Sequence, residues 1–183
     1  MKTNVYLLLS VIAVLVISSC KKDVDHPSHP SNEGEVITTL RLTFVDSANT
    51  SDVRVAEFRD PDGPGGIAYD RFDTIRLARN STYYTQVLLL NETVTPADTI
   101  SNEVLQESDE HLLCYTPGGI SATVVVTDTD SNNLPIGLRS NWYTTGAGSG
   151  SMLIVLKHQP GIKNGGCSSG ETDVEVGFPV AVN

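Results

Sequence analysis

Short segments of alternating apolar and polar residues, separated by turn residues, constrain the fold of this chain more than any other sequence feature. Leu40, Leu42 and Phe44 share one side of residues 37–44, whereas threonine and arginine occupy the other, a pattern typical of a half-buried strand. Strand patterns also occupy residues 53–58, 72–77, 82–90, 111–115, 121–127, 134–142, 151–158 and 172–182. Glycine, asparagine, serine and proline interrupt them every 8–15 residues. This spacing favours an antiparallel, immunoglobulin-like β-sandwich.

One segment departs from the strand period. In Thr95-Pro96-Ala97-Asp98, the threonine can cap a helix and the proline suits a first helical position. Ile100, Val104 and Leu105 then form a narrow apolar stripe. The sequence therefore predicts an all-β fold, an antiparallel β-sandwich with one short α-helix inserted around residues 96–109.

The amino-terminal segment indicates where the chain is placed. Lys2 precedes an apolar run over residues 5–17, which suits a signal peptide but is shorter than the ~20 residues that span a bilayer. The run ends at Ile17-Ser18-Ser19-Cys20, which resembles the lipobox of bacterial lipoproteins. The resemblance implies cleavage before Cys20 and acylation of this cysteine. Since each buried CH₂ contributes ~0.8 kcal/mol, several acyl chains form a stable membrane anchor. The alternative is an ordinary secretory peptide with an incidental cysteine.

Cleavage before Cys20 divides the chain into three parts. Residues 1–19 are the signal peptide, residues 20–35 are the lipidated cysteine with a polar, flexible tether, and residues 36–183 are one β-sandwich domain. The tether contains His26 and His29, and two imidazoles are too few for a closed metal site.

The charge balance excludes one class of partner. The full chain has a formal net charge of −10, and removal of residues 1–19 takes away one positive charge, that of Lys2, which leaves −11. Such a surface repels the phosphate backbone, so we expect no nucleic-acid partner.

Two cysteines follow the anchor. Cys114 lies in an apolar strand pattern and Cys167 in a glycine-rich loop. An exported protein can form a disulfide, but the apolar surroundings favour Cys114 as a buried, unpaired hydrophobic residue.

Two turns offer carboxylates to a cation. Asp60 and Asp62 stand two apart in a glycine-rich turn, without the third carboxylate and closing glutamate of an EF-hand loop. Asp128, Asp130 and Asn132 supply side-chain oxygens at alternate positions of a second turn. The alternative in each case is a turn that only connects strands.

The acidic end of the predicted helix is a third candidate site. Four carboxylates gather there, where negative charge opposes the helix dipole, and such a local conflict can mark function. They belong to Glu103, Glu107, Asp109 and Glu110. A solvated acidic face is the alternative. The predicted ligands of a divalent cation are His111, Glu107 and Glu110, with His158 if the sheet brings it beside His111.

Signatures of common enzyme classes are missing. The run Gly146-Ala147-Gly148-Ser149-Gly150 does not match a nucleophile elbow, because alanine and serine stand where glycines are needed. Neither a zinc-protease H-E-x-x-H nor a phosphate-binding loop occurs. We therefore expect a protein that is not an enzyme.

The chain also resembles a family of small lipoproteins from the Bacteroidota. The stretches that carry the resemblance are residues 39–44 (TLRLTF), 60–66 (DPDGPGG), 95–98 (TPAD), 108–111 (SDEH) and 157–161 (KHQPG). The resemblance implies a lipid-anchored protein of the outer membrane, on its periplasmic face or on the cell surface. It implies no assigned activity.

These features together predict an outer-membrane-anchored, non-catalytic binding module, for a divalent cation or as an accessory to an outer-membrane transporter. The lipid bilayer, contacted through acylated Cys20, and an outer-membrane protein are the expected partners. No cofactor other than a divalent cation is expected. The alternative is a structural or adhesive cell-envelope protein with no small-molecule site.

Overall fold

The computed structural model describes residues 35–63 and 65–183. The predicted signal peptide, the acylated Cys20 and all but the last residue of the predicted tether lie outside the described residues. Within the described ranges, none of the helices is both long enough and apolar enough to cross a membrane.

Two β-sheets enclose one apolar core, which confirms the predicted all-β sandwich with one short helix. The first sheet has six strands in the order β3-β2-β1-β5-β8-β7 and the second has four in the order β4-β10-β9-β6. The strands are β1 (Thr39–Asp46), β2 (Val53–Arg59), β3 (Arg71–Phe72), β4 (Ile75–Leu77), β5 (Thr82–Leu90), β6 (His111–Gly118), β7 (Ala122–Val126), β8 (Arg139–Thr144), β9 (Gly148–His158) and β10 (Glu171–Val182).

The segment predicted as one strand over residues 72–77 is divided between the two sheets. Phe72 in β3 pairs with Phe58 in the first sheet, whereas Ile75 in β4 pairs with Val180 in the second. The β4–β10 pair is parallel, so the sandwich is not wholly antiparallel as predicted. The chain changes sheets between Phe72 and Ile75. Strand β3 pairs antiparallel with β2 in the first sheet, whereas β4 pairs parallel with β10 in the second.

The helix α1 (Ile100–Gln106) is shorter than predicted and begins later. Residues 91–98 form a closed turn instead, because Asn91 and Asp98 exchange two backbone hydrogen bonds of 3.0 and 2.9 Å. The N-cap of α1 is Thr99, so the prediction that Thr95 caps the helix is wrong. Ile100 and Val104 are buried against the sandwich, which places the acidic residues of α1 near one end of the sheets.

Cys114 and Cys167 form a disulfide, with their Cα atoms 6.0 Å apart. The prediction that Cys114 is an unpaired buried thiol is therefore wrong. Cys114 does lie in a buried part of β6, but the loop between β9 and β10 folds back toward this strand. The disulfide fixes that loop to β6, three residues from His111.

Candidate functional site

The pairing of β6 with β9 brings two histidines together. His111, the first residue of β6, is the cross-strand partner of His158, the last residue of β9. Their imidazole rings stack with centroids 4.7 Å apart and planes inclined by 7°. The next strand in the sheet, β10, begins beside β9 and adds Asp173 to the same corner of the sandwich.

His111 is fully buried and has one free ring nitrogen. Its Nδ1 lies 3.2 Å from the carbonyl oxygen of Glu107, which can only accept a hydrogen bond. In the neutral form of the ring, Nδ1 carries the proton and the lone pair lies on Nε2. This Nε2 has no hydrogen-bond partner among the described residues.

Asp173 faces His111 from the neighbouring strand. Its Oδ2 lies 3.9 Å from the histidine Nε2, and its side chain is 1% exposed. Neither carboxylate oxygen makes a hydrogen bond of good geometry to a described residue. Burial raises the pKa of Asp173, while the charges of His111 and His158 and the backbone N–H of Glu35 favour its ionised form. A buried carboxylate without a partner is costly, and such groups call for an explanation.

Two glutamates also lie close to His111. One side-chain oxygen each from Glu35 and Glu107 and a ring nitrogen of His111 lie within 4.8 Å of one another. Glu35 comes from the segment before β1, and Glu107 directly follows α1. Their surroundings are strongly acidic, since burial and the carboxylates of Glu35 and Asp98 raise the pKa of Glu103 to about 7.

The structure brings the four predicted ligands together but does not give them equal positions. His111 and Glu107 belong to the group of ligand atoms described above. His158 and Glu110 lie beside it and face each other, with 3.6 Å between the imidazole Nε2 and the carboxylate Oε2. Sequence reasoning missed Glu35, which was assigned to the tether, and Asp173, for which no local motif gives a signal.

The turn of Asp128, Asp130 and Asn132 is a structural turn and does not present its carboxylates to a cation. Asp128 accepts hydrogen bonds from the backbone N–H groups of Gly137 and Arg139 at 2.9 and 3.0 Å. Asp130 accepts from the backbone N–H groups of Asn132 and Leu134 at 2.8 and 2.9 Å. Its other oxygen receives a 2.9 Å hydrogen bond from the buried Lys163 ammonium group. The carboxylates are satisfied by the protein itself, in line with the alternative of a hairpin turn.

Asp60 and Asp62 have different roles in the other turn. Asp62 accepts a 2.6 Å hydrogen bond from the backbone N–H of Ile67, which closes the turn and lowers the pKa of Asp62. Asp60 instead has a buried Oδ1 with no hydrogen-bond partner among the described residues, and burial raises its pKa. The two side chains are also in hydrogen-bond contact with each other, and a cation site on this loop stays a prediction.

Asp60 lines a cleft that reaches the histidine site. The cleft encloses about 440 Å³ and shares Glu35 and Asp173 with that site. Asp60 and Glu175 add two further carboxylates, and Phe58 is among its apolar wall residues. We call this space the acidic cleft.

Comparisons of the chain with protein-family models, with curated proteins and with solved structures find no match.

Proposed function

We propose that this protein binds a divalent cation at the buried corner formed by His111, Asp173, Glu35 and Glu107. One observation carries the proposal. The His111 Nε2 and the Asp173 carboxylate face each other across 3.9 Å, both are buried, and neither has a hydrogen-bond partner among the described residues. A cation between them would satisfy both groups at once.

A direct ion pair explains this geometry less well. Hydrogen bonds between an imidazolium and a carboxylate are usually about 2.7–2.9 Å long, well short of the observed 3.9 Å. A metal ion with bonds of about 2.0–2.2 Å to nitrogen and oxygen fits between two atoms at such a separation. Glu35 and Glu107 each have a carboxylate oxygen near a ring nitrogen of His111 and would supply the further oxygen ligands.

The ligand set favours Zn²⁺ or another first-row divalent metal. One imidazole nitrogen with several carboxylate oxygens suits these metals, whereas Ca²⁺ and Mg²⁺ prefer oxygen alone and Cu⁺ prefers sulfur. The Glu107 carbonyl oxygen accepts from Nδ1 of His111 and so orients the ring in the way typical of metal-binding histidines. The backbone at Glu107 thus positions two of the proposed ligands, the Glu107 side chain and the His111 ring.

The cellular setting is part of the proposal. The lipobox at Cys20 supports a lipid-anchored protein, and the resemblance to Bacteroidota lipoproteins supports the outer membrane. We propose a binding protein without catalytic activity, held at the membrane surface and able to present its cation to an outer-membrane partner. Glu35 supports this arrangement, because it stands where the chain passes from the predicted tether into the domain.

The test is the melting temperature of the full-length protein in detergent, first chelated and then with Zn²⁺, Mn²⁺ or Ca²⁺ added singly. A cation at 100 times its Kd adds about 2.7 kcal/mol, which shifts the midpoint by several degrees. We expect a shift with Zn²⁺ that the His111→Asn variant loses. The matched control replaces His26 and His29 by asparagine and should keep the shift. No shift with any metal, or a shift lost only in the control, would refute the proposal.

A further inference from the structure

The acidic cleft is lined by more carboxylates than the proposed cation site uses. Four of its lining residues, Glu35, Asp60, Asp173 and Glu175, carry carboxylates, and no lysine or arginine from the described residues lines it. The arginine nearest in sequence, Arg59, is already engaged by Asp70 and Glu92 on other parts of the surface. The cleft is therefore a concentrated negative region in a protein whose net charge is already −10.

Two of these carboxylates have buried oxygens without partners. The Asp173 side chain is 1% exposed, and neither of its oxygens makes a hydrogen bond of good geometry to a described residue. Asp60 has a buried Oδ1 of which the same is true. Burial is the main cause that raises the pKa of Asp60, followed by its side-chain hydrogen bond with Asp62 and by the like charges of Asp62 and Asp70. A metal ion beside His111 would satisfy Asp173, but it leaves the Asp60 oxygen without a partner.

The remaining wall of the cleft is apolar. Val36, Ile37, Phe58 and Val174 line it, and Val36 is 46% exposed. A small inorganic ion gains nothing from such a wall. An aliphatic chain does, because removing its apolar surface from water is favourable.

We propose that the acidic cleft binds a primary alkylammonium group, with the ammonium at Asp60 and its aliphatic chain against Val36, Phe58 and Val174. A lysine side chain of a polypeptide and a small free amine share this chemistry. The inference shares Asp173 with the proposed cation site but depends on Asp60, which is not a ligand there. The two sites are therefore separable by mutation.

The test is calorimetric titration of the chelated, full-length protein in detergent with n-pentylammonium chloride. Ammonium chloride supplies the charge without the chain, and 1-hexanol supplies the chain without the charge. We expect saturable binding of pentylammonium and at least tenfold weaker binding of both controls. Titration with Nα-acetyl-lysine amide and with a lysine-containing peptide then identifies the source. Tenfold tighter binding of the peptide indicates a lysine side chain, and equal binding indicates a free amine.

Two variants locate the binding. Asp60→Asn should weaken pentylammonium binding at least tenfold and leave the Zn²⁺-induced melting shift intact. Asp109→Asn is the matched control, because it also removes one carboxylate charge and Asp109 is exposed and does not line the cleft. Val36→Lys, at an exposed wall position, should place an ammonium in the cleft and abolish binding of the free amine.

Several results would overturn the inference. They are no saturable binding of pentylammonium, equal binding of 1-hexanol, or equal weakening by Asp60→Asn and Asp109→Asn. The His111→Asn variant distinguishes failure of the amine proposal from failure of the proposed cation binding. It should abolish the Zn²⁺ effect and leave amine binding unchanged.

Discussion

His111 and His158 stack face to face, with ring centroids 4.7 Å apart and planes inclined by only 7°. His158 is not in the three-residue group of Glu35, Glu107 and His111, and its ring packs against that of the proposed ligand His111. The stack restricts the tilt of the buried His111 ring and keeps its Nε2 directed at Asp173. Fixing the direction of a ligand in this way is a common task of the residues around a metal site.

Replacement of His158 separates positioning from ligation. His158→Phe keeps a flat ring against His111 and should leave Zn²⁺ affinity within a few-fold of wild type. His158→Ala removes the stack and should weaken Zn²⁺ about tenfold, the lower end of the range for residues that support a ligand. Calorimetric titration with Zn²⁺ measures both variants. Equal, large losses in the two variants would mean that His158 is itself a ligand.

Asp173→Asn should stabilise the metal-free protein while abolishing its response to metal. The substitution removes a buried charge that has no hydrogen-bond partner, for which we expect a gain of about 1–3 kcal/mol. Chemical denaturation in a chelating buffer at pH 8 measures the change.

The pH dependence of the stability difference between Asp173→Asn and wild type is the control for this prediction. Because the folded protein raises the pKa of this carboxyl, its cost is absent when the group is protonated and grows as pH rises through the folded pKa. The difference between Asp173→Asn and wild type should therefore shrink on acidification. A variant less stable than wild type at pH 8 would show that Asp173 already has a favourable partner without metal.

Glu103 gives the chelated protein a second pH dependence. Its pKa rises from 4.5 to about 7, mainly through burial and then through the carboxylates of Glu35 and Asp98. The folded chain thus holds this proton more tightly than the unfolded chain, and stability falls as pH increases between those two values. Glu103→Gln should raise the melting temperature at pH 8, leave it nearly unchanged at pH 4, and flatten the profile between. If the melting temperature of Glu103→Gln depends on pH as steeply as that of wild type, another group causes the pH dependence.

The disulfide should contribute substantially to stability. Cys114 and Cys167 are 53 residues apart, and closing a loop of this length stabilises a fold by roughly 2–4 kcal/mol. We predict a loss of this size for Cys167→Ala, measured by chemical denaturation. Dithiothreitol should destabilise wild type equally and leave the variant unchanged. Identical denaturation midpoints for oxidised and reduced wild type would contradict this prediction.

Local patterns were sufficient for most of the sandwich and for part of the site. The strand predicted over residues 82–90 matches β5 (Thr82–Leu90), because one face of β5 is buried and its residues alternate. The helix start at Thr95 failed because backbone pairing between Asn91 and Asp98 competes with capping. The sequence of residues 91–98 is compatible both with a capped helix start and with a closed turn of eight residues, and the structure has the turn.

The unpredicted part of the site depends on contacts that no local motif records. His111 and Glu107 are four residues apart, so their proximity is visible in the sequence. Asp173 reaches them only because β10 pairs with β9 and β9 with β6, and Glu35 only because the chain enters beside them. Each of these depends on sheet order, which hydrophobic periodicity does not specify.

Direct observation of the His111 imidazole tests the central claim of cation binding. We would record the ring ¹⁵N signals of the full-length protein in detergent by NMR during a Zn²⁺ titration, with His111→Asn to assign them. Ligation predicts that the Nε2 signal of His111 moves to a metal-bound shift at one equivalent of Zn²⁺, while Nδ1 remains protonated and hydrogen-bonded to the Glu107 carbonyl oxygen. A His111 Nε2 signal that does not respond to Zn²⁺ would contradict the account.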